Sequence, residues 1–159
     1  MGTYRKCAGI IVFNADKKVL VCARNDDEEF NWQFPQGGIE PNETHLEAAI
    51  RELKEETSII SVKPVKTLDN PIRYDYPPEV LSKAKFSNKK HLGQEMYWSL
   101  MFFYGNDEEI NLNTKEPEFK SYEWIEPKEA ISRIVLFKKD VYKKALEQLQ
   151  PYISAFDTN

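Results

Sequence analysis

A chain of 159 residues with 41% hydrophobic and 13% aromatic side chains can bury a core and is too apolar to be disordered. Its formal net charge of −4 excludes a surface built for non-specific nucleic-acid binding, while leaving room for a local basic site. Two cysteines, Cys7 and Cys22, lie in strand-like runs, and the N-terminus carries no apolar stretch. We therefore expect reduced, buried thiols in a cytoplasmic protein with no membrane span. With only His45 and His91, any bound metal has to be held by carboxylates, which favours magnesium or manganese.

In chain order, Cys7 to Phe13 is apolar and β-branched and reads as a strand buried on both faces. Asn14 to Lys17 supplies turn chemistry, and Val19 to Arg24 reads as the returning strand of a hairpin. Asn25 to Asn31 is a polar, acidic loop; Trp32 to Phe34 is a short strand ended by Pro35-Gln36-Gly37-Gly38. A helix follows over about residues 45 to 57, opened by the capping-box pair Thr44 and Glu47. Leu46, Ala49, Ile50 and Leu53 form its apolar stripe. Val62 to Leu68 and Ile72 to Tyr76 are strands, and residues 79 to 94 read as a short helix or ordered loop. Met96 to Tyr104 is the central strand and Tyr122 to Ile125 a last short one. Pro127 to Ile134 and Lys138 to Gln150 read as helices. The alternation points to an α/β fold, a mixed β-sheet packed between α-helices, with residues 1–159 forming a single domain.

The most informative stretch is Arg51-Glu52-Leu53-Lys54-Glu55-Glu56. At about 100° per residue, Glu52, Glu55 and Glu56 share an arc of roughly 100° that borders the apolar stripe. Three carboxylates so placed repel one another unless a cation holds them, and magnesium suits such a face. By itself the helix reads more readily as a solvated acidic face. Gly37 and Gly38, just upstream, free the backbone to approach phosphates closely, although most glycine pairs are merely turns.

Read together, Gly37, Glu43, Arg51, Glu52, Leu53, Glu55, Glu56 and Ile59 reproduce the Nudix box: a glycine, five residues, a glutamate, seven residues, then Arg-Glu-apolar-x-Glu-Glu-x-Gly-apolar. The chain thus resembles the Nudix hydrolases, whose fold is an α/β/α sandwich. The resemblance implies that Glu52, Glu55 and Glu56 bind a divalent metal (Mg2+ or Mn2+), that Arg51 orients them, and that Glu43 supports the loop–helix geometry. Gly37 joins the metal set by the same resemblance. One box position departs: the family glycine near the helix end is Ser58, which puts the exit geometry in question.

The resemblance reaches over roughly residues 4 to 143 and looks like the subgroup of bacterial RNA 5′-pyrophosphohydrolases and plant-type asymmetric diadenosine tetraphosphate hydrolases. Its marks are Tyr4-Arg5, Trp32-Gln33-Phe34-Pro35-Gln36-Gly37-Gly38, Tyr74-Asp75-Tyr76-Pro77-Pro78, Gly93-Gln94, Pro117-Glu118-Phe119 and Phe137-Lys138-Lys139-Asp140-Val141-Tyr142. It implies that Glu118 joins the metal site or acts as base. Arg5, Arg24, Gln36, Gly38 and Lys138 would face the polyphosphate or first nucleotides, and Tyr74 and Phe137 would stack bases. Taken singly, the cations read equally as ordinary surface charges and the aromatics equally as core. Glu95 and Tyr97 depart from the subgroup pattern, and Asp26, Asp27, Glu28 and Glu29 add acid to the loop before Trp32. The expected activity is hydrolysis of a phosphoanhydride in a nucleoside polyphosphate, foremost an RNA 5′-triphosphate end taken to a monophosphate. The alternative substrate is a dinucleoside polyphosphate; a non-catalytic nucleotide-binding domain is the reading of another class. A monomer is expected.

Overall fold

The computed structural model describes residues 3–25, 31–78, 91–134 and 136–158, of Leu136 and Phe137 the backbone only. Its elements are β1 (Thr3–Phe13), β2 (Val19–Arg24), β3 (Trp32–Gln33), β4 (Gln36–Gly38), α1 (His45–Thr57), β5 (Val62–Thr67), β6 (Ile72–Asp75), β7 (His91–Phe103), a 3-10 turn (Asp107–Glu109), β8 (Phe119–Ile125), α2 (Pro127–Arg133) and α3 (Leu136–Ala155). The strands form one mixed, 8-stranded sheet in the order β3-β2-β1-β7-β5, with β4 on β1, β6 on β7 and β8 on β2.

The apolar run of β1 is buried on both faces, as its composition predicts. Cys7, Ile11 and Phe13 face one core, while Ala8, Ile10 and Val12 face the other. Period-two alternation feeds two layers from one strand. The first layer packs against α3 through Tyr142, Ala145 and Leu149; the second packs against α1 through Ala48, Ala49 and Leu53. Gly9 leaves room for the buried Trp98 ring of the neighbouring β7, because a Cβ there would come within 2.6 Å of it. Cys7 and Cys22 are buried, free and assigned to different layers.

Several expectations need correction. β1 begins at Thr3, because its polar first residues pair in parallel with β7, Tyr4 opposite Gly93 and Arg5 opposite Gln94. For the same reason residues 91–94 are strand, not helix or loop; residues 79–90, with the lysines between Lys83 and Lys90, lie outside the described residues. The first hairpin registers at Phe13↔Val19, after which the edge of β1 takes β4 as its antiparallel partner, at Cys7↔Gly38 and Gly9↔Gln36. Gly37 and Gly38 are therefore strand residues rather than a turn, and no described glycine has a positive φ. On α1 the stripe is displaced: Ile50 is 41% exposed, and Ala48 takes its place in the core. β8 starts three residues early, at Phe119, and α3 starts at Leu136 and runs through Pro151 to Ala155.

The end of α1 resolves the question raised by Ser58. Ser58 itself adopts the left-handed conformation, φ 67° and ψ 7°, and its N–H donates to the Lys54 carbonyl. Its hydroxyl donates to the Asn111 carbonyl at 2.8 Å. Beyond it the Glu109 carboxylate accepts from the N–H groups of Ile60 (2.7 Å) and Ser61 (2.8 Å). A side chain that costs about 1–2 kcal/mol in this conformation is thus held by bonds from a neighbouring segment.

Candidate active site

The site is built on α1, whose start is fixed by the expected capping box. Thr44 Oγ1 accepts from the Glu47 N–H at 3.1 Å, and Glu47 Oε1 accepts from the Thr44 N–H at 2.9 Å. With the N-terminus pinned, the i, i+3, i+4 spacing carries Glu52, Glu55 and Glu56 round one side of the helix, from the β4 contact to the core edge.

Arg51 ties this helix to the loop before it. Its Nε and Nη2 make a fork on Glu43 at 2.6 and 2.8 Å, and Nη2 also donates to the Gly38 carbonyl at 2.9 Å. Its Nη1 donates to Glu52 at 2.8 Å and Glu55 at 3.1 Å. A planar guanidinium with five donors in fixed directions can do this; an ammonium cannot. The fork holds the Glu43 carboxyl down at about 2, chiefly through the hydrogen bond from Arg51.

The glutamates differ in environment. Glu55 is the exposed one, with 54% of its side chain accessible. Glu52 is mostly covered, and burial raises its carboxyl against the lowering effect of Arg51. Its carboxyl lies flat on the backbone of Gly37, where a Cβ would overlap it. That close approach, not backbone conformation, is what glycine supplies at position 37. Glu56 is buried, and its Oε1 has no hydrogen-bond partner. Burial first, and then the charges of Glu52 and Glu118, push its carboxyl up to about 9, against a hydrogen bond from the Gln36 N–H and the charge of Arg24. Glu118 is exposed on the segment entering β8, where its carbonyl accepts from the Asn25 N–H at 2.7 Å.

An all-oxygen donor set with one buried, unpartnered oxygen fits a hard divalent cation. Among the described residues no three His, Cys, Asp or Glu side chains are drawn into a ligating group, and Arg51 takes up Glu52 and Glu55 instead. The glutamates line a cleft of about 700 Å³, together with Lys54, Thr114 and Lys115. A second hollow of about 410 Å³ shares Arg51 and Glu52 and leads past Gly38 to Arg5, Tyr4 and His91. The two make a path from the carboxylates to a cation. Lys54, Thr114, Lys115 and His91 had no motif to single them out as cleft residues, and Tyr4 stood in a subgroup mark without a role assigned to it.

The remaining expected residues fall into two groups. Arg5, Gly38 and Arg24 lie where they can act on the site: Arg5 and Gly38 line the second hollow, and Arg24 is close enough for its charge to lower the Glu56 carboxyl. Tyr74 and Lys138 do not lie on an open surface. Tyr74 is 8% exposed, packs in the core and donates its hydroxyl to Gln94 at 2.6 Å, so its ring is not free to stack a base. Lys138 is also 8% exposed, and its Nζ donates to Gln33 at 3.3 Å. The Gln36 side chain is engaged by Tyr142 and Gln94. The side chain of Phe137 and the acidic residues 26–29 lie outside the described residues. Glu95 is not a loose acid: Arg73 donates to it at 2.9 Å and Tyr97 at 3.0 Å, and the Arg73 bond lowers its carboxyl.

A mixed sheet between helices, with a carboxylate helix face braced by an arginine fork, defines a class. The model of the NUDIX domain matches residues 3–145, and the chain belongs to that family. Members generally require a divalent metal and act on nucleoside polyphosphates. Among similar proteins, the RNA pyrophosphohydrolase of Zymomonas mobilis is 41% identical over 91% of this chain and 94% of its own. That of Dinoroseobacter shibae is 39% identical over 94% of both. Nudix hydrolase 26, chloroplastic, of Arabidopsis thaliana is 38% identical over 94% of this chain and 71% of its own. Of solved structures, a C. elegans Ap4A hydrolase binary complex aligns with TM-score 0.67 at 19% identity, over 94% of this chain and 99% of that one. At that identity the likeness concerns the fold alone.

Proposed function

We propose that this chain hydrolyses the 5′-triphosphate end of RNA to a 5′-monophosphate. The observation that carries the reading is nearly end-to-end similarity, 39% and 41% identity, to relatives named RNA pyrophosphohydrolase, in a chain that keeps every acidic box residue. Glu52, Glu55 and Glu56, with Glu118 and the Gly37 carbonyl, would hold Mg2+ or Mn2+. A bound ion supplies charge neutralisation for the polyphosphate and lowers the pKa of a water. Arg51 orients Glu52 and Glu55 and is itself fixed by Glu43. Arg5 and Gly38 receive the phosphates along the second hollow, and Arg24 adds its positive charge beside Glu56. Water adds to the α phosphorus and gives up a proton to solvent, the α–β P–O–P bond breaks, and the β and γ phosphates leave together as pyrophosphate. Lys54, on the same helix, and Lys115 line the cleft with the glutamates and offset part of the charge. We place this activity in the cytoplasm, a reducing setting that suits buried, unbridged thiols, and in a monomer.

The test is kcat/KM for a short 5′-triphosphorylated RNA and for diadenosine tetraphosphate, side by side in magnesium with an EDTA control. RNA should be preferred by about tenfold or more, and EDTA should abolish turnover. Preference for the dinucleotide by that margin overturns the reading in favour of asymmetric dinucleoside polyphosphate hydrolysis. Turnover of neither substrate leaves a nucleotide-binding domain.

A further inference from the structure

Tyr142 has no part in the chemistry described so far, yet its phenol is buried close to the site. Its ring is fully buried in α3, stacked on Phe34 with centroids 5.0 Å apart and edge-on to Trp98 at 5.1 Å. Its hydroxyl donates to Gln36 Oε1 at 2.6 Å, across 106 residues of sequence. Gln36 Nε2 donates in turn to Gln94 Oε1 at 3.1 Å, and that same oxygen accepts from the Tyr74 hydroxyl. The Gln36 side chain is thus held at both ends, by α3 and by β7.

What it holds is the strand that bears on the glutamates. The Gln36 N–H donates to the Glu56 carboxyl. The next residue, Gly37, is the surface on which Glu52 lies. A rotation of the Gln36 peptide would therefore move the partner of one glutamate and the floor under another. The two sequence runs noted earlier, Trp32 to Gly38 and Phe137 to Tyr142, dock on each other at this point. Lys138 meets Gln33 and Tyr142 meets Gln36, one helical turn apart.

We infer that Tyr142 is a positioning residue for the metal site: through Gln36 it sets the β4 peptide that aims Glu56 and Glu52. The inference builds on the assignment of these glutamates as metal ligands and adds a residue from the opposite layer of the sandwich. Misplacement of a reacting group by about 1 Å can cost on the order of a hundredfold in rate, so one hydroxyl can matter from a distance.

The experiment compares wild type, Tyr142→Phe, Gln36→Met and the double variant. It measures Mn2+ affinity by titration of the metal alone, and kcat and KM on triphosphorylated RNA. Tyr142→Phe removes one oxygen and keeps the ring, so the core should stay packed. We expect Mn2+ affinity and kcat to fall by about fivefold or more, with KM within about twofold. The double variant should be no worse than Gln36→Met alone, because both changes cut one path. Mn2+ affinity and kcat within about twofold of wild type in Tyr142→Phe overturn the inference, as do fully additive losses in the double variant. If Tyr142→Phe does not fold, Gln94→Leu frees the other end of Gln36 and must give the same pattern. A wild-type protein that binds no Mn2+ would instead refute the metal assignment itself.

Discussion

Gly37→Ala separates two roles of glycine, conformational freedom and close approach. Position 37 has no positive φ, so alanine is not strained there, and its stiffer unfolded chain should add about 0.4–1 kcal/mol of stability. Against this, the new Cβ would sit within 2.5 Å of Glu52 Oε1 and nearer still to the other carboxyl atoms. Ordinary carbon contacts lie at about 3.5–4 Å, so the carboxyl must retreat by at least about 1 Å. Its bond from Arg51 Nη1 is 2.8 Å long and would stretch beyond hydrogen-bonding range. A charged hydrogen bond between two mostly covered groups is worth about 1–3 kcal/mol, so the loss outweighs the entropic gain. Net destabilisation of about 1–2 kcal/mol is expected, together with a kcat lower by about a hundredfold. The assays are urea denaturation and single-turnover hydrolysis of triphosphorylated RNA. A Gly37→Ala variant that turns over within about threefold of wild type would refute the claim that Glu52 must lie on this backbone. Gly38→Ala is the control: its Cβ meets only the tip of Arg5, 2.7 Å away at Nη2, which can swing aside. There KM should rise and kcat hold.

Glu56→Gln keeps shape but cannot ionise to bind a cation, so turnover should fall by about a hundredfold or more while the melting temperature holds; near-normal turnover would remove Glu56 from the metal set. The Glu43 carboxyl lies at about 2, below its ordinary value of 4.5. Its stabilising contribution is therefore complete above about pH 4.5 and is lost as the pH falls through about 2. Glu43→Gln should be less stable than wild type at neutral pH, and urea midpoints should converge as the pH falls from about 4.5 to about 2; a gap undiminished at about pH 2 contradicts the ion pair. Ser58→Gly relieves a left-handed residue worth about 1–2 kcal/mol but forfeits the Asn111 bond, worth about 0.5–1.5 kcal/mol. Calorimetry should find stability within about 1 kcal/mol of wild type, and a larger gain would mean the Asn111 bond contributes nothing.

The sequence by itself determined what local spacing controls. The α1 boundaries, the Thr44–Glu47 box and the placing of Glu52, Glu55 and Glu56 on one side of a helix follow from 3.6 residues per turn and from caps made within four residues. The resemblance gave Glu43 and Arg51 separate roles, in the loop and at the glutamates; the structure joins them in a two-pronged bond. What only the tertiary structure decided involves partners far apart in the chain. The polar start of β1 and the strand at residues 91–94 exist because each supplies the other's hydrogen bonds. The two glycines are strand because the diverging β1 edge needed a partner, and Gly37 is small because a carboxyl from α1 lies on it. Tyr74 and Lys138, which composition alone could place on the surface or in the core, are buried where α3 packs on the sheet. The burial that raises Glu56 and leaves its oxygen unpartnered is likewise a product of tertiary packing, here of α1 on the sheet. Helical periodicity sets the direction of a side chain, but desolvation is the sum of whatever else folds over it.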